Sequence, residues 1–552
     1  MATKLQAISN ATLGFLGLNT QDNGVTLDSG YATKALNCVI DKNGRLASRK
    51  GWSKLTTNNG DLNDNEYIET IHEVLGVAGS STIISAGGGK IFTGTTTLTR
   101  LNVYGTDATG PAVLSPQPTF TGNRWQFVTL QENAGAAAET YAVATQRGNV
   151  AMVYREGAHS GPFVLQRIGT DYGTKPTGVT TFDPDCCHAA FGRVWVAGLS
   201  ENRTTVFYSP LLDPSHFTGT GSGLLDISAV VGGNDEIVAI SSHNAFLVIF
   251  CKRNIVIYSN ADTPSTITLA DVIPGVGCIA RDSVQQTGND IVFLSASGVR
   301  SLARTVQEKS MPLRELSLNI RDDLVTYIEG ETFNNIKSVY FERDAFYLLV
   351  MPSLNQVFCF DTRRLLENGA ARVTVWDNII PKALHAASNR TLYLGVQGGI
   401  GQYFGYTDNG NSYRMEYYTA NTDFGSPFNL KFLKKAKVVV IASGSQDIIL
   451  KYGFDYKTEF NSRVYTKDFV GAGIEYSDVS GQPGYTGDEY SNLPGLTGYT
   501  GSEYAGGVEI AELDINIGGS GKVLQFGVEA TINGAPINLQ QMTVYVTTGK
   551  MT

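Results

Sequence analysis

A chain of 552 residues has room for two or three domains at about 150 residues each. Apolar residues make up 42% and charged residues only 17%, which excludes disorder throughout, because disordered chains are rich in charge and poor in aromatics. The net charge of −9 and pI near 5.3 exclude whole-molecule attraction to nucleic acid or anionic membrane, though not a local basic patch.

Glycine is abundant (61) and proline is not (17), while Tyr and Phe together number 51. Glycine turns joining aromatic and β-branched segments point to an all-β protein. The apolar patch Leu13 to Leu18 is too brief for a signal peptide. No apolar run approaches the ~18 residues of a membrane span. The six cysteines (Cys38, Cys186, Cys187, Cys251, Cys278, Cys359) read as small buried hydrophobes in a reducing compartment, not a disulfide framework.

In chain order, residues 1–60 read as an extended or β segment. Residues 61–410 then repeat an apolar strand, a tight turn and a second apolar strand. Examples are Ala245 to Phe250 turning at Lys252-Arg253 into Ile255 to Tyr258, and Phe346 to Val350 followed by Val357 to Phe360. Taking Ile83, Val143, Val194, Leu247, Val292, Leu348 and Leu392 as anchors gives steps of 60, 51, 53, 45, 56 and 44. Those steps are near the 40–50 residues of a propeller blade with room for loops. No Trp-Asp pair or kelch double glycine recurs, so the repeat is structural. The apolar spacing of Leu316, Leu318, Ile320, Leu324, Val325 and Ile328 predicts one amphipathic helix over 314–328.

Residues 411–552 read as a second all-β domain, a small β-sandwich, with strands at 438–441, 448–450, 508–510, 523–526 and 544–546. A Gly/Tyr-rich insert at 477–507 interrupts it; Gly484 to Tyr490 recurs as Gly498 to Tyr504. Such a segment cannot build a core, so an exposed loop that does not carry the fold is expected.

The search for chemistry returns no catalytic, cofactor-binding or metal residues. No Gly-x-Ser-x-Gly stands at a strand-to-helix turn. Gly87-Gly88-Gly89-Lys90 lacks the following hydroxyl of a phosphate loop and reads as a glycine hairpin. Gly219 to Gly223 lacks dinucleotide spacing and reads as a loop. His72-Glu73 has no second histidine four residues on. In Asp183-Pro184-Asp185-Cys186-Cys187-His188 the adjacent thiols would point to opposite faces of a strand, which argues against one tetrahedral metal. Asp61 to Glu66 lacks the turning glycine of a calcium loop. Asp423-Phe424-Gly425 has no companion kinase motifs, and Asp322-Asp323 reads as a solvated helix face. His72, His159, His188, His216, His243 and His385 are scattered singly. The basic cluster Lys431, Lys434, Lys435 and Lys437 reads as a solvated edge or the seat of an acidic neighbour, with phosphate contact as the alternative.

Three stretches resemble the nozzle proteins (the tail tubular protein B family) of short-tailed bacteriophages. The first runs from Gly17-Leu18-Asn19 through Asn37-Cys38-Val39 and Gly44-Arg45-Leu46 to Arg49-Lys50-Gly51-Trp52. The second is Gly277 to Ser283 with Phe293-Leu294-Ser295 and Gly298-Val299-Arg300. The third is Asp423 to Pro427, Phe454-Asp455-Tyr456 and Val544-Tyr545-Val546. The Tyr-rich insert is not a hallmark of that family. The resemblance implies a propeller-containing structural virion protein, not an enzyme and without cofactor. It implies six copies in a ring around the DNA exit channel, assembled in host cytoplasm. An adaptor (head-to-tail) ring would lie above, fibres or spikes at the side, and double-stranded DNA would pass without sequence-specific binding. Six copies at −9 would carry roughly −54, a wall that repels DNA and lets it slide. The alternatives are a carbohydrate-binding tail adhesin, with stacking faces from the Tyr-rich insert, and a propeller-type hydrolase with carboxylates converging from several blades.

Overall fold

The computed structural model describes residues 5–9, 14–24, 27–28, 30–76, 79–107, 110–132, 139–156, 164–288, 290–307, 315–469 and 509–551. The insert at 477–507 lies outside them. The chain is all-β: a seven-bladed propeller joined to a β-sandwich. Blade one is built from Ile68–Leu75, Ser81–Gly87, Lys90–Thr93 and Thr99–Arg100, and blade two from Gln126–Glu132, Glu139–Gln146, Asn149–Glu156 and Val164–Arg167. Blades three and four start at Cys186–Ala190 and Ile237–His243 and are also four-stranded antiparallel sheets. Blade five has three strands, Gln285–Gln286, Ile291–Ser295 and Gly298–Ser301. Blade six runs Lys337–Phe341, Phe346–Met351, Gln356–Asp361, Arg372–Trp376, and blade seven Ala383–Ala386, Leu392–Val396, Gly399–Tyr403. Every one of the seven anchors sits on the second strand of its blade.

The fourth strand of blade seven comes from before blade one. Trp52–Lys54 pairs antiparallel with Gly399–Tyr403, in the register Trp52 opposite Tyr403 and Lys54 opposite Gly401. The ring is thereby closed by a strand distant in sequence, and the innermost strands Ala383–Ala386 and Ile68–Leu75 lie side by side.

Six of the seven junctions between neighbouring blades are filled by their own apolar cluster, and the junction of blades five and six shares the core of the sandwich. Ile84, Trp125 and Met152 join blades one and two; Ile68, Phe92, Tyr393 and Ile400 join seven and one. Because a blade is covered on both faces, its middle strands are apolar without alternation. Arg193–Ala197, Ile291–Ser295 and Leu392–Val396 are buried at every position.

The sandwich obeys the other rule. One of its sheets has the order Glu509–Gly521, Asn429–Ala442, Ile537–Met551, Leu46–Ser48, Cys38–Ile40, with Leu5–Ser9 also on Ile537–Met551. The other contains Tyr31–Leu36, Tyr413–Thr419, Leu524–Ile532, Gly444–Phe454 and Asn461–Phe469. Here one face meets the core and the other meets water, so side chains alternate. Ala511, Leu513, Ile515 and Ile517 are buried while Ile510, Glu512, Asp514 and Asn516 are exposed. The sandwich is assembled from segments before and after the propeller, so the propeller is inserted into it. A single parallel pairing, Leu36 with Val375, makes the second sheet continuous with blade six.

The predicted helix forms, but later: it spans Arg321–Gly330, after a single 3-10 turn at Leu318–Ile320. The preceding residues are held elsewhere. Glu315 binds Arg300 at 2.7 Å, and the Ser317 hydroxyl accepts from the Val299 amide at 3.0 Å. Asp322 and Asp323 then occupy the first turn, where the helix dipole favours them. Leu324 and Ile328 pack into the core shared by blade five, blade six and the sandwich.

Candidate functional site

The innermost strands of blades one, two, six and seven, together with the start of blade five, enclose a chamber of about 350 Å³ near the propeller axis. Its walls carry Glu69, His72, Gln126, Arg281, Asp282, Lys337 and His385, among others. Ring closure brings His72 of blade one beside His385 of blade seven, with centroids 5.6 Å apart. Far apart in the sequence, these two are joined only by the meeting of first and last blades. His72 also stacks on Phe127 and shares a 2.9 Å hydrogen bond with Thr129. Both residues are half-buried where they face the chamber. Burial pushes His72 down to about 3, with His385 adding repulsion, and pushes His385 down to about 4. Both are neutral at physiological pH.

Beside them lies a charge cluster that draws on four blades. The Arg281 guanidinium, 2% exposed, binds Asp282 at 2.7 Å and Asp185 at 3.3 Å, and donates to the Arg124 carbonyl at 3.0 Å. Lys337 reaches Asp282 at 2.7 Å and Arg124 reaches it at 3.3 Å. Burial alone would raise the Asp282 carboxyl, but Arg281, Lys337 and Arg124 hold it well below the usual carboxylate range. Burial among like charges lowers Lys337. A carboxylate so held cannot serve as a general acid near neutral pH; the cluster clamps blades two, three, five and six together.

The other residues singled out from sequence fall into structural roles. Asp183 accepts from the Gly148 amide and from Ser200. Cys186 faces the cluster between blades three and four, and Cys187 the one between two and three, so the thiols do diverge. Gly88-Gly89 makes the hairpin between two strands of blade one, and Lys90 donates to the Asp61 carbonyl. Asp423 closes its own turn by accepting from the Gly425 amide at 2.8 Å. Among the described residues no group of three or more His, Cys, Asp or Glu could hold a metal ion.

Two of the four lysines in the basic cluster of the sandwich are paired with carboxylates, Lys431 is buried against carbonyls, and Lys434 is exposed. Lys431 is 1% exposed and donates to the carbonyls of Ser426 and Lys522. Lys435 pairs with Asp514 at 3.4 Å and Lys437 with Glu512, both on the adjacent strand. What the sandwich leaves open is its edge strand Asn461–Phe469. From Asn461 to Thr466 every residue is exposed, on both faces, with Val464 at 62% and Tyr465 at 36%. Among the described residues it pairs on one side only, with Gly444–Phe454. Tyr456, 60% exposed, stands in the turn just before it.

No family model matches the chain, and no curated protein matches it. Among solved structures it is similar to the Pan2 WD40 domain of Neurospora crassa, with 10% identity, 65% of this chain and 95% of that chain covered, and a TM-score of 0.35. It is also similar to Hsv2 of Kluyveromyces lactis, with 10% identity, 53% and 93% covered, and a TM-score of 0.27. A third similarity is to the extracellular domain of a one component system from B. thetaiotaomicron, with 11% identity, 67% and 45% covered, and a TM-score of 0.37. This chain therefore spans less than half the length of that last one. The propeller assignment rests on the strand pairing described above.

Proposed function

We propose that this chain is a structural subunit of a virion tail: one member of a six-copy nozzle ring through which double-stranded DNA leaves the particle. The observation that carries the reading is the open strand Asn461–Phe469. A nine-residue edge strand with exposed Val464 and Tyr465 is an association hazard unless another chain covers it. Strand addition across such an edge supplies main-chain hydrogen bonds between copies. A head-to-tail contact of this kind, repeated by rotation, closes into a ring. The N-terminal and later motifs resembling nozzle proteins are what favour a nozzle ring over another ring. Adaptor and fibre or spike proteins would dock on it, and the acidic balance of the chain keeps DNA from adhering.

The test is mass measurement and reconstruction of intact tails, with six copies about one axis expected. Three or twelve copies, or an off-axis fibre, would overturn the reading. The double substitution Val464→Asp and Tyr465→Asp is expected to leave the melting temperature of the isolated subunit unchanged and to abolish its incorporation into tails.

A further inference from the structure

A second cavity, of about 440 Å³, lies where blade six meets the strands that precede the propeller. Its composition runs against the rest of the molecule. In a chain of net charge −9, this cavity is lined by six cations (Lys42, Arg45, Lys50, Arg343, Arg363, Arg372) against three carboxylates (Asp41, Asp344, Asp361).

The carboxylates are already engaged. Asp41 holds Arg45 at 2.9 Å and caps its own turn by accepting from the Asn43 and Arg45 amides. Asp344 meets Lys50 at 3.6 Å. Asp361 meets Arg363 at 3.4 Å and Arg372 only at 3.9 Å. Arg363 also donates to the Ile40 carbonyl at 2.6 Å, which fixes its fork across the junction between the two units.

Arg372 is held only by its long pairing with Asp361. Its side chain is 13% exposed, and its Nε is buried without an acceptor. A buried donor without an acceptor is a cost that the fold tolerates here. The guanidinium lies against the turn carrying Arg45: a Cβ on Gly44 would stand 3.9 Å from Arg372 Nη1. Burial pushes the Asp361 carboxyl above its ordinary range despite Arg363 and Arg372.

We propose that this cavity is a binding site for a multiply charged phosphate oxyanion of the pyrophosphate class. The excess of three positive charges calls for an anion carrying several negative ones, and planar guanidinium forks match phosphate oxygens in pairs. The oxyanion would accept from the cations that line the cavity, Arg372 among them, and brace blade six against the sandwich strands. The site does not depend on the ring: it would stand in an isolated subunit.

The experiment is calorimetric titration of the full chain with inorganic pyrophosphate at low salt, run in parallel with a 20-base-pair DNA duplex. One saturable pyrophosphate site is expected, with a rise in melting temperature on binding. Arg372→Gln is expected to weaken binding at least tenfold. Because Arg372 is mostly buried, the exposed Lys42→Glu is the second variant: several-fold weaker binding at an unchanged melting temperature. Duplex binding that pyrophosphate displaces would support the site and identify the source as backbone phosphate; pyrophosphate binding without duplex binding would support it with a free anion. No saturable pyrophosphate binding, or binding indifferent to both substitutions, would overturn the proposal.

Discussion

Removing the Arg49 guanidinium would leave the Asp408 carboxylate buried and uncompensated. Arg49, fully buried, binds Asp408 through both terminal nitrogens at 2.8 and 2.7 Å. It also donates to Asn37 at 2.8 Å and lies over the Tyr413 ring at 4.0 Å. It therefore ties together the strands that lead into and out of the propeller. Arg49→Ala is expected to cost about 3–5 kcal/mol in urea unfolding, as for other broken buried pairs; Arg49→Lys should rescue little, since an ammonium cannot reproduce the fork. The histidines give a second prediction. Burial holds His72, His385 and His188 at about 3, 4 and 4, below the ordinary 6.5. Between those values and 6.5 the unfolded chain binds more protons than the folded one. Stability should thus be intact above pH 6.5 and fall as pH drops toward 4, by at most about 2 kcal/mol per histidine at pH 5. Thermal melts from pH 7 to pH 5 would measure the slope, and His72→Phe should flatten it. The cysteines give a third. All six are free and buried, and burial raises Cys187 to about 12 and Cys278 to about 11. A thiol reagent at pH 8 should find them unreactive in the native protein and all six reactive in denaturant. That the cysteines are buried hydrophobes was legible from their apolar neighbours; the role of Arg49 was not, because Asp408 lies far away in sequence.

At the scale of elements, blade closure is the step most exposed to a small change. Gly51 precedes the closing strand Trp52–Lys54, and a Cβ there would stand 2.0 Å from the Thr407 carbonyl oxygen. Gly395 in blade seven is as tight: a Cβ would meet the Ile68 carbonyl oxygen of blade one at 2.1 Å. Neither obstacle is a side chain that could swing away. Gly51→Ala and Gly395→Ala should each cost about 1–3 kcal/mol, read as a fall in melting temperature by calorimetry, whereas Gly178→Ala, with nothing within 4 Å, controls for glycine replacement without a clash; its positive φ of 82° leaves only the smaller backbone strain. The apolar runs of the blade strands marked their positions well, because stacking on both faces demands them. The helix was legible in kind but not in extent. Residues 315–317 have helical spacing, yet Glu315 and Ser317 serve blade five, a demand that no local pattern records.

For the whole molecule, insertion of the propeller into the sandwich joins the two units by two chain crossings and one shared sheet. Blade six, the helix Arg321–Gly330 and the sandwich share one apolar core, so the two units should unfold together. Differential scanning calorimetry of the full chain is expected to give a single transition, and two resolved transitions would show independent units. On the proposed ring, assembly runs through the edge strand Asn461–Phe469 and not through the fold, so Val464→Asp with Tyr465→Asp is expected to disturb tails and not folding.

The sequence by itself determined that the chain is all-β, that seven hairpins follow one another between residues 83 and 392, and that an alternating sandwich pattern follows them. Each of these is a local matter: the period of apolar residues and the placing of turns reflect whether a strand is covered on one face or two. Only the tertiary structure decided which strands complete which sheets. Trp52–Lys54 belongs to blade seven and the strands from Leu5 to Ser48 to the sandwich; His72 meets His385, and six cations gather around one cavity. Those outcomes depend on closing a ring and packing two sheets, which bring together residues hundreds of positions apart. The pairing partner of an edge strand and the charge of a cavity are properties of surfaces in contact, and no window along the chain contains both surfaces.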